Sequence, residues 1–299
     1  VNRSWLYVPG DAADKLAGAA DRGADAVIVD LEDSVPPAGK QAARATTMEW
    51  LSSPNGAAAA ARSGVEVWVR INAADDWRLE DLAAIGDVPA AASEALTGIL
   101  VPKASHDLLT DVQRRLALEH APRLRVAGLV EDARALADVA ALAATPGLSH
   151  LGMGEADLRA QLHLDPGPDD AELRPLRMAV VVASAAAGIL PPVGATATDF
   201  RDLDALRASS ERLRRLGFSG RTAIHPRQVP VINEVFTPGD DRVAWARDVV
   251  ARLDAAEADG RGVAVDADGR MLDEAVARQA RHVLALSAAA GRRSGTPAD

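Results

Sequence analysis

The chain of 299 residues contains no cysteine, which excludes disulfides, thiolate metal centres and cysteine nucleophiles. Aromatic residues make up only 3 %, too few for the base-stacking platforms of nucleic-acid binders. Lysine occurs three times, as Lys15, Lys40 and Lys103, so arginine supplies nearly all of the 33 basic groups. With the abundant alanine, this reads as base composition of the gene and carries no functional weight. Against those 33 stand 43 acidic groups, a formal charge of −10 that disfavours a phosphate backbone as partner. Strongly apolar runs of membrane length are missing too. Met178 to Thr198 spans 21 residues without a charge, but it holds Gly188 and Pro191-Pro192 and is rich in alanine. A spanning helix needs about 20 predominantly apolar residues, so a buried helix running into a short strand is expected here instead. No basic-then-apolar leader opens the chain, which enters a strand-like run at Ser4 to Val8. A cytoplasmic protein with neither nucleic-acid nor membrane partners is the expectation.

What is present is an ordinary globular composition, 48 % hydrophobic and 25 % charged. Runs rich in Val, Ile and Leu alternate with helical patterns. Strands are predicted at Trp5–Val8, Ala26–Asp30, Val65–Ile71, Gly98–Val101, Leu124–Val130, Leu148–Met153, Gly188–Val193 and Thr222–Ile224. Helices are predicted at Ala12–Arg22, His106–His120, Ala133–Ala144, Leu173–Ala187 and Asp202–Leu216, and a loop or helix end at the alanine-rich tract Asn55–Ala61. Strands apolar on both faces and separated by helices predict an α/β fold, a closed (β/α)8 TIM barrel, with a doubly wound open sheet as competitor. The alternation stops after Thr237-Pro238-Gly239. Residues 1–239 therefore form the expected barrel and residues 240–299 a C-terminal helical extension, with helices at about Asp240–Ala258 and up to about Ala290.

Barrel enzymes carry their reacting groups at the carboxyl ends of strands, which makes those positions the first to read. They hold Asp30-Leu31-Glu32-Asp33, Arg70-Ile71-Asn72, Pro102-Lys103, Glu131-Asp132 and Gly154-Glu155-Ala156-Asp157. Each acidic group alone is open to a helix-capping reading. Their recurrence at one end of three strands points to a shared site, with Glu131 and Asp157 at its centre. Carboxylates without Cys or His beside them suit a hard cation, Mg²⁺ before Zn²⁺. Gly152-Met153-Gly154 imitates the start of a dinucleotide loop, but Asp157 stands where the third glycine belongs. His225, followed by Pro226, reads as a turn-holding residue rather than a base.

The order of motifs resembles the citrate lyase β-subunit family of the HpcH/HpaI aldolase group. The matching residues are Arg3-Ser4-Trp5-Leu6-Tyr7-Val8-Pro9-Gly10, Gly23-Ala24-Asp25, Asp30 to Val35 with Lys40 and Ala43-Arg44, and Arg70-Ile71-Asn72. They continue through Val101-Pro102-Lys103, Gly154 to Leu158, Ile224-His225-Pro226-Arg227-Gln228 and Met271-Leu272-Asp273. The resemblance implies a Mg²⁺-dependent carbon–carbon lyase acting on a CoA thioester of the citryl, malyl or citramalyl type, with oxo or hydroxy acids as the smaller partner. It implies Glu131 and Asp157 as metal ligands, Arg70 as a catalytic residue that with Glu131 also binds substrate, and Glu32 and Asp33 holding waters around the metal. Asp273 would reach a neighbouring subunit's site as acid/base, in a homo-oligomer for which the resemblance favours a trimer. Asp132, where the family commonly has Thr, and the segment Pro191–Asp199 depart from the pattern, which bears on substrate choice.

Other readings stay open at this level. Lys103 ends a strand and would suit a Schiff-base aldolase. A citrate lyase β subunit using an acyl-carrier thioester in a larger complex, a non-catalytic subunit, and a thioesterase or malate-synthase-like side activity compete with it. No glycine-rich cradle for the CoA phosphates is legible; Lys15 and Arg22 are the candidates for that contact.

Overall fold

The computed structural model describes residues 1–89, 94–119, 121 and 123–294. Eight parallel strands close into a barrel in sequence order: β1 Ser4–Pro9, β2 Ala26–Asp30, β3 Glu66–Arg70, β4 Leu96–Val101, β5 Arg125–Val130, β6 Leu148–Met153, β7 Val193–Gly194 and β8 Gly220–Ala223. Strand β1 pairs with β8, which removes the open-sheet alternative. The connecting helices include α1 Ala13–Ala17, α2 Lys40–Ser52, α3 Ala57–Arg62, α4 Asp75–Gly86, α5 His106–Leu118, α6 Ala133–Ala137, α7 Val139–Ala143, α8 Glu155–Leu162, α9 Arg174–Ala187, α10 Leu203–Leu216 and α11 Gln228–Phe236. No helix among the described residues is long and apolar enough to cross a membrane.

Both faces of the strands are buried, as a helix-wrapped parallel sheet requires. Val27, Val29, Val67, Val69, Ile99 and Val101 join the layer under the helices. The alternate positions, Trp5, Ala26, Ile28, Trp68, Leu100, Ala127, Leu129 and Val193, fill the barrel interior. Trp5, Trp68 and His150 meet there with ring centroids 5.0–5.4 Å apart. Gly98 makes room for them, since a Cβ at that position would stand 2.5 Å from the Trp68 ring and 2.4 Å from the Arg125 carbonyl oxygen. The two-residue period then carries the inward row of β2 to Asp30 and that of β3 to Arg70.

Several predicted boundaries move. The strand expected at Gly188–Val193 pairs only at Val193–Gly194, because Pro191 and Pro192 have no N–H to give a ladder. The helix expected over Ala133–Ala144 is split at Asp138, and Asn55–Ala61 contributes most of α3. His120, the predicted end of the helix beginning at His106, lies outside the described residues.

The chain divides into two compact units, Asn2–Phe236 and Thr237–Asp299. In the second, α12 Asp240–Ala258 and α13 Glu274–Ser294 pack around Ala246, Val249, Leu272, Ala280 and Val283. Between them lies an antiparallel hairpin, β9 Ala264–Val265 and β10 Met271–Leu272.

Candidate active site

A cavity of about 430 Å³ opens at the carboxyl ends of the strands. Among its lining residues are Tyr7, Asp30, Asp33, Arg70, Glu131, Glu155 and Asp157, with Leu129, Met153, Thr196, Thr198 and Thr222. Four of the residues expected from the sequence, Arg70, Glu131, Asp157 and Asp33, thus meet around one space. Glu32 does not line it. Its buried carboxylate lies behind, with Oε2 2.9 Å from Arg70 Nη1 as an ion pair but without hydrogen-bond geometry.

Arg70 is the cation of this cluster, and the strand register decides its orientation. Asp30 and Arg70 are aligned neighbours on β2 and β3. Asp30 Oδ1 accepts from Arg70 Nε and Oδ2 from Nη2, both at 2.7 Å, a buried bidentate pair. Asp33 accepts from Nη1 at 3.1 Å, and the guanidinium lies 5.0 Å from the centre of the Tyr7 ring. Burial alone would raise the Asp30 carboxyl, but Arg70, Ser34 and the Glu32 amide together hold it below the usual carboxylate range. Asp30 and Tyr7 line the cavity, and strand-end motifs do not single either of them out. Inward parity along β1 and β2 was the signal that would have singled them out.

Glu131 lies just past β5. Its Oε1 accepts the Lys103 amide N–H at 2.6 Å. Burial pushes Glu131 up to about 7; the Lys103 amide and Arg70 pull it down, and Asp157 and Asp33 push it further up. Glu32 reaches about 8, chiefly by burial, with Arg70 opposing and Asp33, Glu131 and Asp30 reinforcing. The cluster is therefore short of positive charge, and Glu32 Oε2 is a buried acceptor without a hydrogen bond. Among the described residues no group of three or more His, Cys, Asp or Glu side chains is arranged to hold a metal ion. A hard cation with few protein ligands, and water or substrate for the rest, fits this all-oxygen, acid-rich wall.

The β2–α2 loop that carries Glu32 and Asp33 is tied from behind. Lys40, buried in α2, donates from Nζ to the carbonyls of Leu31 and Glu32 at 2.8 and 2.6 Å. Lys103 is exposed and its side chain does not line the cavity, which removes the Schiff-base geometry; its main-chain amide is the part that reaches the site. Asp132 caps α6 by accepting the Ala135 N–H. His225 accepts the Arg227 N–H at 3.1 Å and stacks on Phe200, holding the turn after β8. Lys15 and Arg22 are exposed on the first βα connection. Asp273 belongs to the C-terminal unit, where its carboxylate accepts the Val276 N–H at the start of α13.

An eight-stranded barrel with acid-rich carboxyl ends and the buried Arg70 on its cavity wall fits a barrel enzyme site. The HpcH/HpaI aldolase/citrate lyase family model matches residues 3–226, and the chain belongs to this family of enzymes. It is 35 % identical over 289 residues to a (3S)-malyl-CoA thioesterase of Cereibacter sphaeroides, covering 96 % of this chain and 95 % of that one. An L-malyl-CoA/beta-methylmalyl-CoA lyase of the same organism is 32 % identical over 317 residues, covering 95 % and 93 %. Among solved structures, the chain is similar to the CitE protein of Mycobacterium tuberculosis in complex with magnesium, acetoacetate and coenzyme A. That match has a TM-score of 0.74 and 30 % identity, covering 95 % of this chain and 97 % of that one.

Proposed function

We propose that the protein is a Mg²⁺-dependent carbon–carbon lyase. It cleaves, or in reverse forms, a β-hydroxyacyl-CoA of the citryl, malyl or citramalyl type, giving an oxo acid and an acyl-CoA enolate. The observation that carries this is the meeting of Glu131, Asp157 and Arg70 around one cavity. Its volume is at the small end of ligand clefts, about 300–1,000 Å³, room for the reacting acid and acyl head. Relatives named for malyl-CoA and a magnesium–coenzyme A complex of a similar structure support the same reading.

Glu131 and Asp157 would hold the metal, and Mg²⁺ there would supply Lewis-acid polarisation of the oxo acid's oxygens. Arg70 keeps its proton throughout and stabilises negative charge on oxygen as the carbon–carbon bond breaks. Asp30 fixes the plane of that guanidinium, so its orientation costs little at the moment of reaction. The bond's electron pair passes to the thioester's α-carbon as an enolate, and the β-hydroxyl's proton passes to solvent water as that oxygen becomes the oxo group, balancing the proton later delivered to the enolate carbon. A neighbouring copy's Asp273 would then protonate the enolate carbon, in a homotrimer. Of the charged side chains on the cavity wall, Arg70 is the one cation among the described residues. That favours a monocarboxylic oxo acid, of the malyl or citramalyl kind, over one with a second carboxylate to place.

The test incubates purified protein and Mg²⁺ with a panel of CoA thioesters and reads products by mass. Oxo acid plus acyl-CoA is expected, with loss of turnover in EDTA, in Glu131→Gln and in Asp157→Asn. Retained turnover in either variant refutes the metal assignment. A second reading, thioester hydrolysis, is favoured by the 35 % identical relative, and hydroxy acid plus free CoA as the products would establish it. For Asp273, mixing inactive Asp273→Asn with inactive Glu131→Gln protein should restore activity through hybrid oligomers. Absence of any recovery refutes the shared site.

A further inference from the structure

Strand β4 ends at Val101, and Pro102-Lys103 turn the chain away from the sheet. Lys103 makes that turn with φ at +46°, in the left-handed region where a Cβ crowds the following carbonyl oxygen. Glycine or asparagine occupies such a position at less cost. Strain of this kind persists only where surrounding structure compensates for it. The compensation is visible: the Lys103 N–H meets Glu131 Oε1 at 2.6 Å, a charge-assisted bond into a largely buried carboxylate.

The opposite flank of Glu131 is equally constrained. A Cβ at Gly154 would fall 2.5 Å from Glu131 Cβ and 2.7 Å from its Oε2, so the glycine keeps that side free for the carboxylate. Oε2 has no hydrogen-bond partner among the described residues. The Lys103 amine itself is exposed and off the cavity wall.

We infer that Lys103 is a positioning residue for Glu131, acting through its left-handed main chain and not through its amine. The amide occupies Oε1 and fixes the carboxylate's rotation, leaving Oε2 to face a divalent cation. This rests on Glu131 being a metal ligand.

The experiment reads Mn²⁺ affinity by calorimetry on the full chain, with thermal midpoints alongside, for Lys103→Gly, Lys103→Asn, Lys103→Ala and Lys103→Val. Tolerance of the left-handed region falls in that order. Gly and Asn should bind within about twofold of the parent. Ala should match the parent, because lysine already carries a Cβ in this conformation, and β-branched Val should be about tenfold weaker or more, in the range seen when a partner of a metal ligand is lost. Equal losses in all four would show that the amine matters and overturn the inference. Unchanged Mn²⁺ affinity in Val, with only the midpoint lowered, would also overturn it by making the strain purely structural. Should Val fail to fold, Lys103→Thr, β-branched but polar, decides the same point. A parent protein that does not bind Mn²⁺, with Glu131→Gln no different, defeats the metal reading itself and this inference with it.

Discussion

Replacing Gly154 with alanine tests the site with a single carbon atom. Gly154 has φ −103°, so alanine meets no left-handed barrier there and the effect is one of space. The new Cβ would stand 2.5 Å from Glu131 Cβ and 2.7 Å from Glu131 Oε2. Carbon atoms settle at about 3.5–4.0 Å, so Glu131 or the start of α8 must retreat by about 1 Å. A shift of that size in Glu131 breaks the 2.6 Å bond from the Lys103 amide. Overpacking of this kind costs about 1–3 kcal/mol of stability. The effect on chemistry is larger in relative terms, since a misplacement of about 1 Å costs on the order of 10²-fold in rate. Steady-state kinetics on the CoA thioester that the wild-type protein turns over, with Mn²⁺ calorimetry and urea unfolding, separate the two effects. The expected result is a protein that folds, binds Mn²⁺ more weakly, and loses about two orders of magnitude in kcat/KM. Wild-type kinetics and metal affinity in Gly154→Ala would refute the claim that Glu131 must sit where the structure places it.

Asp30→Asn removes one of the two charges in a buried bidentate pair, which commonly destabilises by about 3–5 kcal/mol. Arg70 still keeps Glu32 and Asp33, so the loss is expected near 3 kcal/mol, about the lower bound of that range, with kcat falling more than KM rises. Urea unfolding unchanged from the parent would contradict the pairing. His150, enclosed by Trp5 and Trp68, is pushed down from 6.5 to about 4, first by burial and then by Arg125, with Glu66 opposing. Its folded pKa lies below its unfolded one, so the unfolded chain takes up the proton first. Stability is therefore full above about pH 7 and is lost as pH falls from 6.5 toward 4, by about 3 kcal/mol in all and about 2 of it between pH 7 and 5. His150→Phe lacks this contribution. The difference in urea-unfolding free energy between parent and variant should shrink by that amount over the interval, while Glu32 and Glu131, present in both, cancel. A difference that stays flat from pH 7 to 5 would show that His150 is not buried neutral.

Much of the site was legible because barrel architecture converts chain order into position. Once apolar runs were assigned to parallel strands, their carboxyl ends had to share one rim, and Arg70, Glu131 and Asp157 were found there together. Glu32 was legible by type but not by place. Its side chain turns back toward Arg70, and whether a loop carboxylate faces cavity or strand depends on the tie from Lys40, 8 residues on. Strand β7 is shorter than its apolar run because apolar composition says nothing of ladder donors, and Pro191 and Pro192 just before it have none.

Local pattern determined the alternation of strands and helices, the inward row that ends in Asp30 and Arg70, and the absence of thiol chemistry, since these follow from backbone period and residue type. Three-dimensional packing decided which charges meet. It placed Asp30 against Arg70 through inter-strand register, enclosed His150 between two tryptophans, and turned Lys103 from a candidate nucleophile into an amide donor. Each of these joins residues separated by 28 or more positions in the chain; pairing of neighbouring strands brings Asp30 to Arg70 and Lys103 to Glu131, and closure of the barrel brings Trp5 to His150.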